Sequence, residues 1–190
     1  MPIETIAFPA GPRHSAPAMT ILNDTSSILG LLNTRKSASA KAVGDPGPTP
    51  EQLRTILTAA VRVPDHGKLT PWRFILFEGE ARGEFGKVMR KRWQELHPEH
   101  REGTLGFVAG MFLRAPVVVA VVSTAQTHPK IPVWEQQLSS GAVCMTMLLA
   151  AAALGVGCQW MTDWPAYDEA MPGALGLAAH EKIAGIIYLG

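Results

Sequence analysis

The sequence has few charged residues, and their signs are balanced. Charged side chains make up 17% of the 190 residues, with 17 basic against 16 acidic, where a globular protein averages about 25%. The balance excludes the basic surface typical of a nucleic-acid-binding protein and the polybasic segment of a membrane anchor. The low charged fraction indicates extra buried surface, such as a subunit interface.

Cysteine is also scarce, and the two cysteines indicate neither a disulfide framework nor a zinc site. Cys144 and Cys158 lie in an apolar stretch at a spacing that matches no zinc motif. We interpret them as small buried apolar residues. Free thiols without a disulfide framework favour a reducing compartment, and we expect a cytoplasmic protein.

Long apolar runs are absent as well. The longest candidate, residues 143–156, is shorter than the roughly 18 residues that a membrane span needs. The first residues lack the basic start and apolar run of a secretory signal. We expect residues 1–25 to form a flexible N-terminal arm and residues 26–190 to form one domain.

The hydrophobic pattern predicts helices alternating with strands. Helices are predicted over 27–33, from a cap at Thr49 to the region before Pro64, over 80–92 and over 133–154. Strands are predicted over 72–78, 115–123, 158–162 and 182–189. Residues 95–106 are expected to form a mobile loop or lid. This order gives an α/β or α+β domain with helices covering a sheet.

Several common catalytic and binding motifs are missing from the sequence. It contains neither the dinucleotide-binding nor the phosphate-binding glycine motif. Asp65, His66 and Ser37 do not form a hydrolase triad, because no nucleophile elbow surrounds the serine. The six histidines show no zinc spacing, and Pro98 disfavours a helix that would pair His97 with His100, so no metal site is expected.

Two loops carry candidate binding groups. Arg35, Lys36 and Ser37 follow the first helix and can bind an anion or carbonyl oxygens, although they equally suit a basic helix C-terminus. Residues 62–68 contain Arg62 and His66, and His66 can donate to a ring carbonyl or accept a proton. A turn histidine bonded to local backbone is an equally good interpretation of His66.

The helix predicted over 133–154 is apolar on every side from residue 142 onward. Such a helix must be buried on every side. A central helix of a monomer is one solution, but in a chain of this size we favour burial across a two-fold interface between two copies.

Short motifs in collinear order resemble the nitroreductase family, and within it a subgroup of small bacterial NAD(P)H nitroreductases. The resemblance covers residues 27–190. It rests on RKSAS at 35–39, PTPEQL at 48–53, RVPDH at 62–66, PWRF at 71–74, PVWEQ at 132–136, SGA at 140–142, LGVGCQW at 154–160 and EKIAGIIYLG at 181–190.

The resemblance implies an α+β fold with a sheet flanked by helices, built as an intertwined homodimer with two FMN sites at the interface. It also implies three groups of FMN-binding residues. One chain would contribute Arg35, Lys36 and Ser37, and the other Arg62 and His66. The third group, matched by position, is Ala150, Ala151, Ala152, Ala153, Leu154, Gly155, Trp160, Met161 and Thr162, where Met161 and Thr162 replace a more usual Arg-Ser.

The family chemistry needs no protein nucleophile, because FMN carries the hydride chemistry. The resemblance therefore implies an FMN-dependent oxidoreductase that uses NADH or NADPH in a ping-pong cycle and reduces an electron-poor acceptor, nitroaromatic or quinone-like. An FMN-binding carrier or sensor without catalysis is the alternative. The sequence leaves open the acceptor, the choice between NADH and NADPH, and the group that binds the FMN phosphate, since family chains run on past the residues that match 188–190.

Overall fold

The structure is a computed structural model, and it describes residues 21–39 and 42–190. The helices in these residues are α1 (Ile28–Thr34), α2 (Pro50–Ala60), α3 (Glu80–Leu96), α4 (Glu102–Ala109), α5 (Val133–Ala153) and α6 (Met171–Ala174). The strands are β1 (Trp72–Glu78), β2 (Val117–Ser123), β3 (Cys158–Met161) and β4 (Lys182–Leu189). None of these helices has the length and apolar character needed to cross a bilayer.

The four strands form one antiparallel sheet in the order β1-β2-β4-β3. Every residue of β2 is buried, as its unbroken β-branched sequence predicts for a strand covered on both faces. The sheet therefore has a helical layer on each side. The predicted α+β class, with helices flanking a sheet, is confirmed.

The two faces of β2 belong to two separate apolar cores. Val117, Val119 and Val121 pack on one face with α2 and α5, in a cluster that includes Ile56, Val143, Met147 and Ile187. Val118 and Ala120 pack on the other face with α3 and α4, in a cluster that includes Phe85, Met89, Phe112 and Tyr188. Because strand side chains alternate between faces, one strand organises both cores.

Most predicted elements match the structure closely. Strands β1 and β4 have the predicted bounds, α5 ends one residue early, and β3 ends at Met161. The capping box at the start of α2 is complete, because Thr49 Oγ1 accepts from the Gln52 N–H at 3.1 Å and Gln52 Oε1 accepts from the Thr49 N–H at 2.9 Å. The first helix runs from Ile28 to Thr34, one residue later than predicted, and is capped by Ser27.

The prediction of a mobile loop or lid over residues 95–106 is wrong. Helix α3 continues to Leu96 and α4 begins at Glu102, so only a short link separates them. The two terminal guanidinium nitrogens of Arg90 donate to the two oxygens of the Glu102 carboxylate, each at 2.6 Å, and Leu105 and Val108 are buried. Packing and this ion pair stabilise a helix that two glycines would disfavour in isolation.

Two ion pairs hold the segment that follows β3 against the rest of the fold. Arg73 of β1 donates to both oxygens of Glu181, at 2.8 and 2.7 Å, and Arg92 of α3 donates to Asp168 at about 3.0 Å. The Arg73 guanidinium lowers the pKa of the Glu181 carboxyl to about 2. The Glu181 side chain is 9% exposed and the Arg73 side chain is 38% exposed, so the carboxylate is shielded while the guanidinium partly faces solvent.

The substitution Glu181→Gln should lower the free energy of unfolding at pH 7 by about 1 kcal/mol, because a charge-assisted pair between a shielded carboxylate and a partly exposed guanidinium is lost. The folded-state pKa is lowered, so the stabilisation is present above the ordinary carboxyl pKa and is lost as the pH falls towards 2. Urea unfolding from pH 7 down to pH 3 measures this. The exposed Glu169→Gln is the control, and a difference from wild type that persists unchanged at pH 3 would contradict the assignment.

Candidate functional site

The loop after α1 lies against the start of β3. The Ala38 N–H donates to the Cys158 carbonyl at 3.1 Å, and Arg35 Nη1 donates to Ser37 Oγ at 3.3 Å. Burial raises the pKa of the Cys158 thiol, and the positive charge of Arg35 opposes that rise. The cationic loop, formed by Arg35, Lys36 and Ser37, therefore lies beside the strand that carries Trp160 and Met161.

The end of α5 leads into the same strand. Gly155 adopts a positive φ of 72°, which lets the chain turn sharply after the helix. Gln52 of α2 donates to the Leu154 carbonyl at 3.4 Å. Within the predicted group, Ala151 and Ala152 are buried and Ala150 is half-buried, whereas Ala153, Leu154 and Gly155 are exposed.

Trp160 lies across the neighbouring strand β4. A Cβ atom on Gly185 would overlap Trp160 Nε1, so only glycine leaves room for the indole there. The ring stays 37% exposed, while Met161 and Thr162 are half-buried. The structure thus brings Arg35, Lys36 and Ser37 to the same side of the molecule as the end of α5 and β3.

The loop that carries His66 is backbone-strained. Gly67, Lys68 and Thr70 have positive φ values of 73°, 54° and 46°, and a β-branched residue such as threonine rarely adopts this conformation. The Asp65 carboxylate stabilises the turn by accepting from the Leu69 and Thr70 N–H groups at 3.2 and 2.8 Å. Strain of this kind concentrates at functional sites.

This loop is attached to the N-terminal half of α5. Ser139 Oγ donates to the Pro64 carbonyl at 2.6 Å, and His66 Nδ1 lies 2.8 Å from Glu135 Oε1. A cavity of about 540 Å³ opens beside the pair, lined mainly by Pro64, Asp65, His66, Ile131, Glu135 and Leu138. No pattern in the sequence indicated a role for Glu135.

The two halves of the predicted site lie at opposite ends of α5. His66 contacts the first turn of this helix, and the cationic loop lies beside the strand that follows its last turn. Because an α-helix rises about 1.5 Å per residue, the helix is about 30 Å long. Within one chain, His66 and Arg35 are therefore not in one pocket. Arg62 is exposed just after α2 and does not line the cavity beside His66.

A turn before α1 fixes the start of the cationic loop. Asn23 Oδ1 accepts from the Lys36 N–H at 3.1 Å, and the Asn23 N–H donates to the Thr34 carbonyl at 3.3 Å. The Asp24 N–H donates to Thr34 Oγ1 at 2.8 Å. Asn23 has a φ of 53°, a left-handed conformation that asparagine tolerates. The expected arm over residues 1–25 lies largely outside the described residues and stays a prediction.

His97, Glu99 and His100 place three metal-ligand atoms within 4.8 Å of one another. The two imidazole rings, however, stack with an interplanar angle of 20° at 4.8 Å, so their in-plane lone pairs do not meet at one point. Trp93 Nε1 also donates to His100 Nδ1 at 2.8 Å. His100 Nδ1 is therefore an acceptor. In a metal-bound histidine, the ring nitrogen that does not bind the metal instead donates a hydrogen bond. We interpret the group as an aromatic stack.

Buried polar atoms near β3 lack partners. In the described parts of the chain, Gln159 Oε1 and Trp164 Nε1 are buried with no hydrogen bond, and neither Arg35 nor Lys36 forms an ion pair with a carboxylate. Buried polar groups are nearly always bonded in native proteins. Gln159 and Trp164 lie with Tyr188 on the α3 side of the sheet, away from α5, so only the two unpaired cations are suited to an anionic ligand such as FMN.

Comparison with known proteins identifies the class of protein to which this chain belongs. The sequence model of the nitroreductase family matches residues 33–190. Escherichia coli K12 YdjA, provisionally named an NAD(P)H nitroreductase, is 37% identical over 166 residues, covering 85% of this chain and 86% of YdjA. A nitroreductase-like protein from Bacillus cereus has the same fold, with a TM-score of 0.74 at 22% identity over 91% of this chain and 88% of that one.

A provisionally named nitroreductase from Desulfovibrio desulfuricans, solved in complex with FMN, shares the fold with a TM-score of 0.59 at 21% identity, covering 79% of this chain and 78% of that one. These findings define an oxidoreductase-type α+β protein with a nitroreductase-like fold. The chain belongs to the nitroreductase family, in the subgroup that resembles YdjA. The family and subgroup predicted from the sequence motifs are confirmed.

Replacing Asn23→Ala should speed amide hydrogen exchange at Lys36, because the Lys36 N–H loses its acceptor. Asn23→Asp keeps a side-chain oxygen and should retain the protection. Asn23→Gly keeps the left-handed backbone without the acceptor, so it separates the hydrogen bond from backbone strain. Protection at Lys36 that is equal in all four proteins, measured by exchange-resolved NMR, would contradict the role given to Asn23.

Proposed function

We propose that this protein is an FMN-dependent oxidoreductase that takes electrons from NADH or NADPH and passes them to an electron-poor acceptor, nitroaromatic or quinone-like. Its working form is a homodimer with two FMN sites, each built from both chains. Family membership, an FMN complex among proteins of the same fold and the provisional name of YdjA support this proposal. The main structural support for this proposal is that the predicted site residues of one chain are divided between the two ends of α5.

An open apolar stripe on α5 supports the dimer. Trp134 and Leu138 are 67% and 54% exposed, and Ala142, Met145 and Leu149 are half-buried. Their spacing of three and four residues places them on one face of the helix, opposite the face that packs on the sheet. Apolar surface at this spacing is typical of helix pairing, and small residues at 141 and 142 permit close approach.

Antiparallel packing of two α5 helices through this stripe brings opposite helix ends together. Its midpoint lies near residues 142–145, so the first turn of one helix comes next to the last turns of the other. The partner's His66 would then lie near this chain's Ala153 to Gly155 and the cationic loop. A two-fold interface is self-complementary in this way, and it completes two equivalent sites at once.

The chain's residues suit the parts of FMN. Arg35 and Lys36 offer a planar fork of donors and a point charge, one for the phosphate and the other for the negative charge that develops on the pyrimidine edge during reduction. Ser37 adds a rotatable donor. Trp160 and the exposed end of α5 supply apolar and backbone surface beside them. FMN itself supplies the hydride chemistry when bound.

The donor and the acceptor would use the same pocket in turn, which gives a ping-pong cycle. No side chain in the described residues needs to act as a nucleophile, and both cysteines are buried, with the pKa of Cys144 raised by burial to about 12. The role of this chain is to bind, orient and exclude water. A cytoplasmic location remains a prediction from the free thiols.

Purified protein should bind FMN and lose the flavin absorbance bands on addition of NADH or NADPH, and a quinone or nitroaromatic should restore them. Arg35→Ala should raise the FMN dissociation constant about tenfold or more, because a charge-assisted hydrogen bond is lost. Arg101→Ala, an exposed arginine at the start of α4, is the control. Binding without turnover would favour the carrier or sensor, and no binding by wild type would refute the proposal.

Mixed dimers test whether each site is shared. Arg35→Ala and His66→Ala homodimers should both have weakened sites. A heterodimer of the two, purified with two different tags, should contain one site with both defects and one intact site, so it should regain about half of the wild-type activity. If both residues served the site of their own chain, every site would keep one defect, and the heterodimer would show no recovery.

A further inference from the structure

The contact between His66 and Glu135 joins two residues 69 positions apart at the edge of the cavity beside α5. We propose that Glu135 is a positioning residue that fixes the tautomer of His66 and thereby decides which ring nitrogen faces the cofactor of the neighbouring subunit. This inference rests on the proposed function, because it assigns His66 to that cofactor site.

The chemistry of the pair determines the tautomer. A carboxylate has no proton to donate, so its contact with His66 Nδ1 at 2.8 Å requires that Nδ1 carries the hydrogen. When the imidazole is neutral, Nε2 then holds a lone pair and is an acceptor. In the described part of the chain, the Glu135 contact is the only hydrogen bond of the His66 ring, so Nε2 remains available.

The surrounding groups make Glu135 the acceptor for this ring. The carboxylate of Asp65, the neighbouring residue, is already bonded to the Leu69 and Thr70 N–H groups. The loop is held to α5 by Ser139, and Ile131 lies directly beneath Gly67. Because the backbone is fixed on both sides, the ring stays beside the first turn of α5.

Stability does not explain the pair. His66 and Glu135 have side chains 60% and 47% exposed, and exposed ion pairs contribute little to folding. The strained backbone of the same loop also favours function over stability. An orienting carboxylate on a histidine is a recurrent device for selecting one ring nitrogen.

The selected nitrogen matches the polar edge of FMN. That edge has one N–H group between two carbonyl oxygens. A neutral Nε2 with a lone pair accepts from the N–H, whereas the opposite tautomer would present a second donor to it. Glu135 therefore favours binding of FMN by the partner's site without touching FMN itself.

The tautomer can be observed directly by NMR. Protein labelled with ¹⁵N-histidine, with and without FMN, gives the protonation of each ring nitrogen, and His66→Asn identifies the His66 signals. Wild-type neutral His66 should carry its proton on Nδ1. Glu135→Gln preserves shape but donates as well as accepts, so it and Glu135→Ala should lose this preference. Glu84→Gln, on the exposed side of α3, should not.

The affinity for FMN provides a second readout. Glu135→Ala should raise the dissociation constant about two- to tenfold, and Glu84→Gln should leave it unchanged. A proton on Nε2 in the wild type, or the same tautomer in wild type and Glu135→Ala, would overturn the inference. Absence of FMN binding by the wild type, with the expected tautomer present, would instead overturn the proposed function.

Discussion

The burial of β2 on both faces is the constraint on which the rest of the structure depends. Seven consecutive apolar and small residues, all buried, need a helical layer on each side of the sheet. One layer, built from α3 and α4, covers the face that carries Val118. The other layer contains α5, whose inner face packs on Val119 and Val121. That packing fixes α5 and leaves its outer face directed away from the sheet.

The position of α5 explains how the candidate site is organised. Its first turn and the adjoining residues hold the strained loop through Glu135 and Ser139, and its last turn leads to β3 and the cationic loop. A single rigid helix thus sets the separation between two groups of candidate binding residues. Sites supported by helices and strands are more accurately placed than sites on unsupported loops, and here each loop is bonded to such an element.

The fold was largely predictable from the sequence because its main signals are local. The β-branched run of β2 and the capping box at Thr49 each lie within a few neighbouring residues. Helix α4 was missed because its stabilisation is tertiary: Arg90 and buried Leu105 outweigh its two glycines. For the same reason, Asn23 and Glu135 were not predicted. Their partners lie 13 and 69 positions away, and no periodic pattern marks such contacts.

The length of α5 has a consequence for the proposed dimer beyond the placement of residues. When each pocket needs both chains, occupancy of the cofactor and association of the subunits become linked equilibria, and each strengthens the other by the same factor. Dilution then empties the pockets as it separates the chains, and a rise in cellular flavin favours assembly. The amount of active protein would depend on two concentrations multiplied together rather than on either alone.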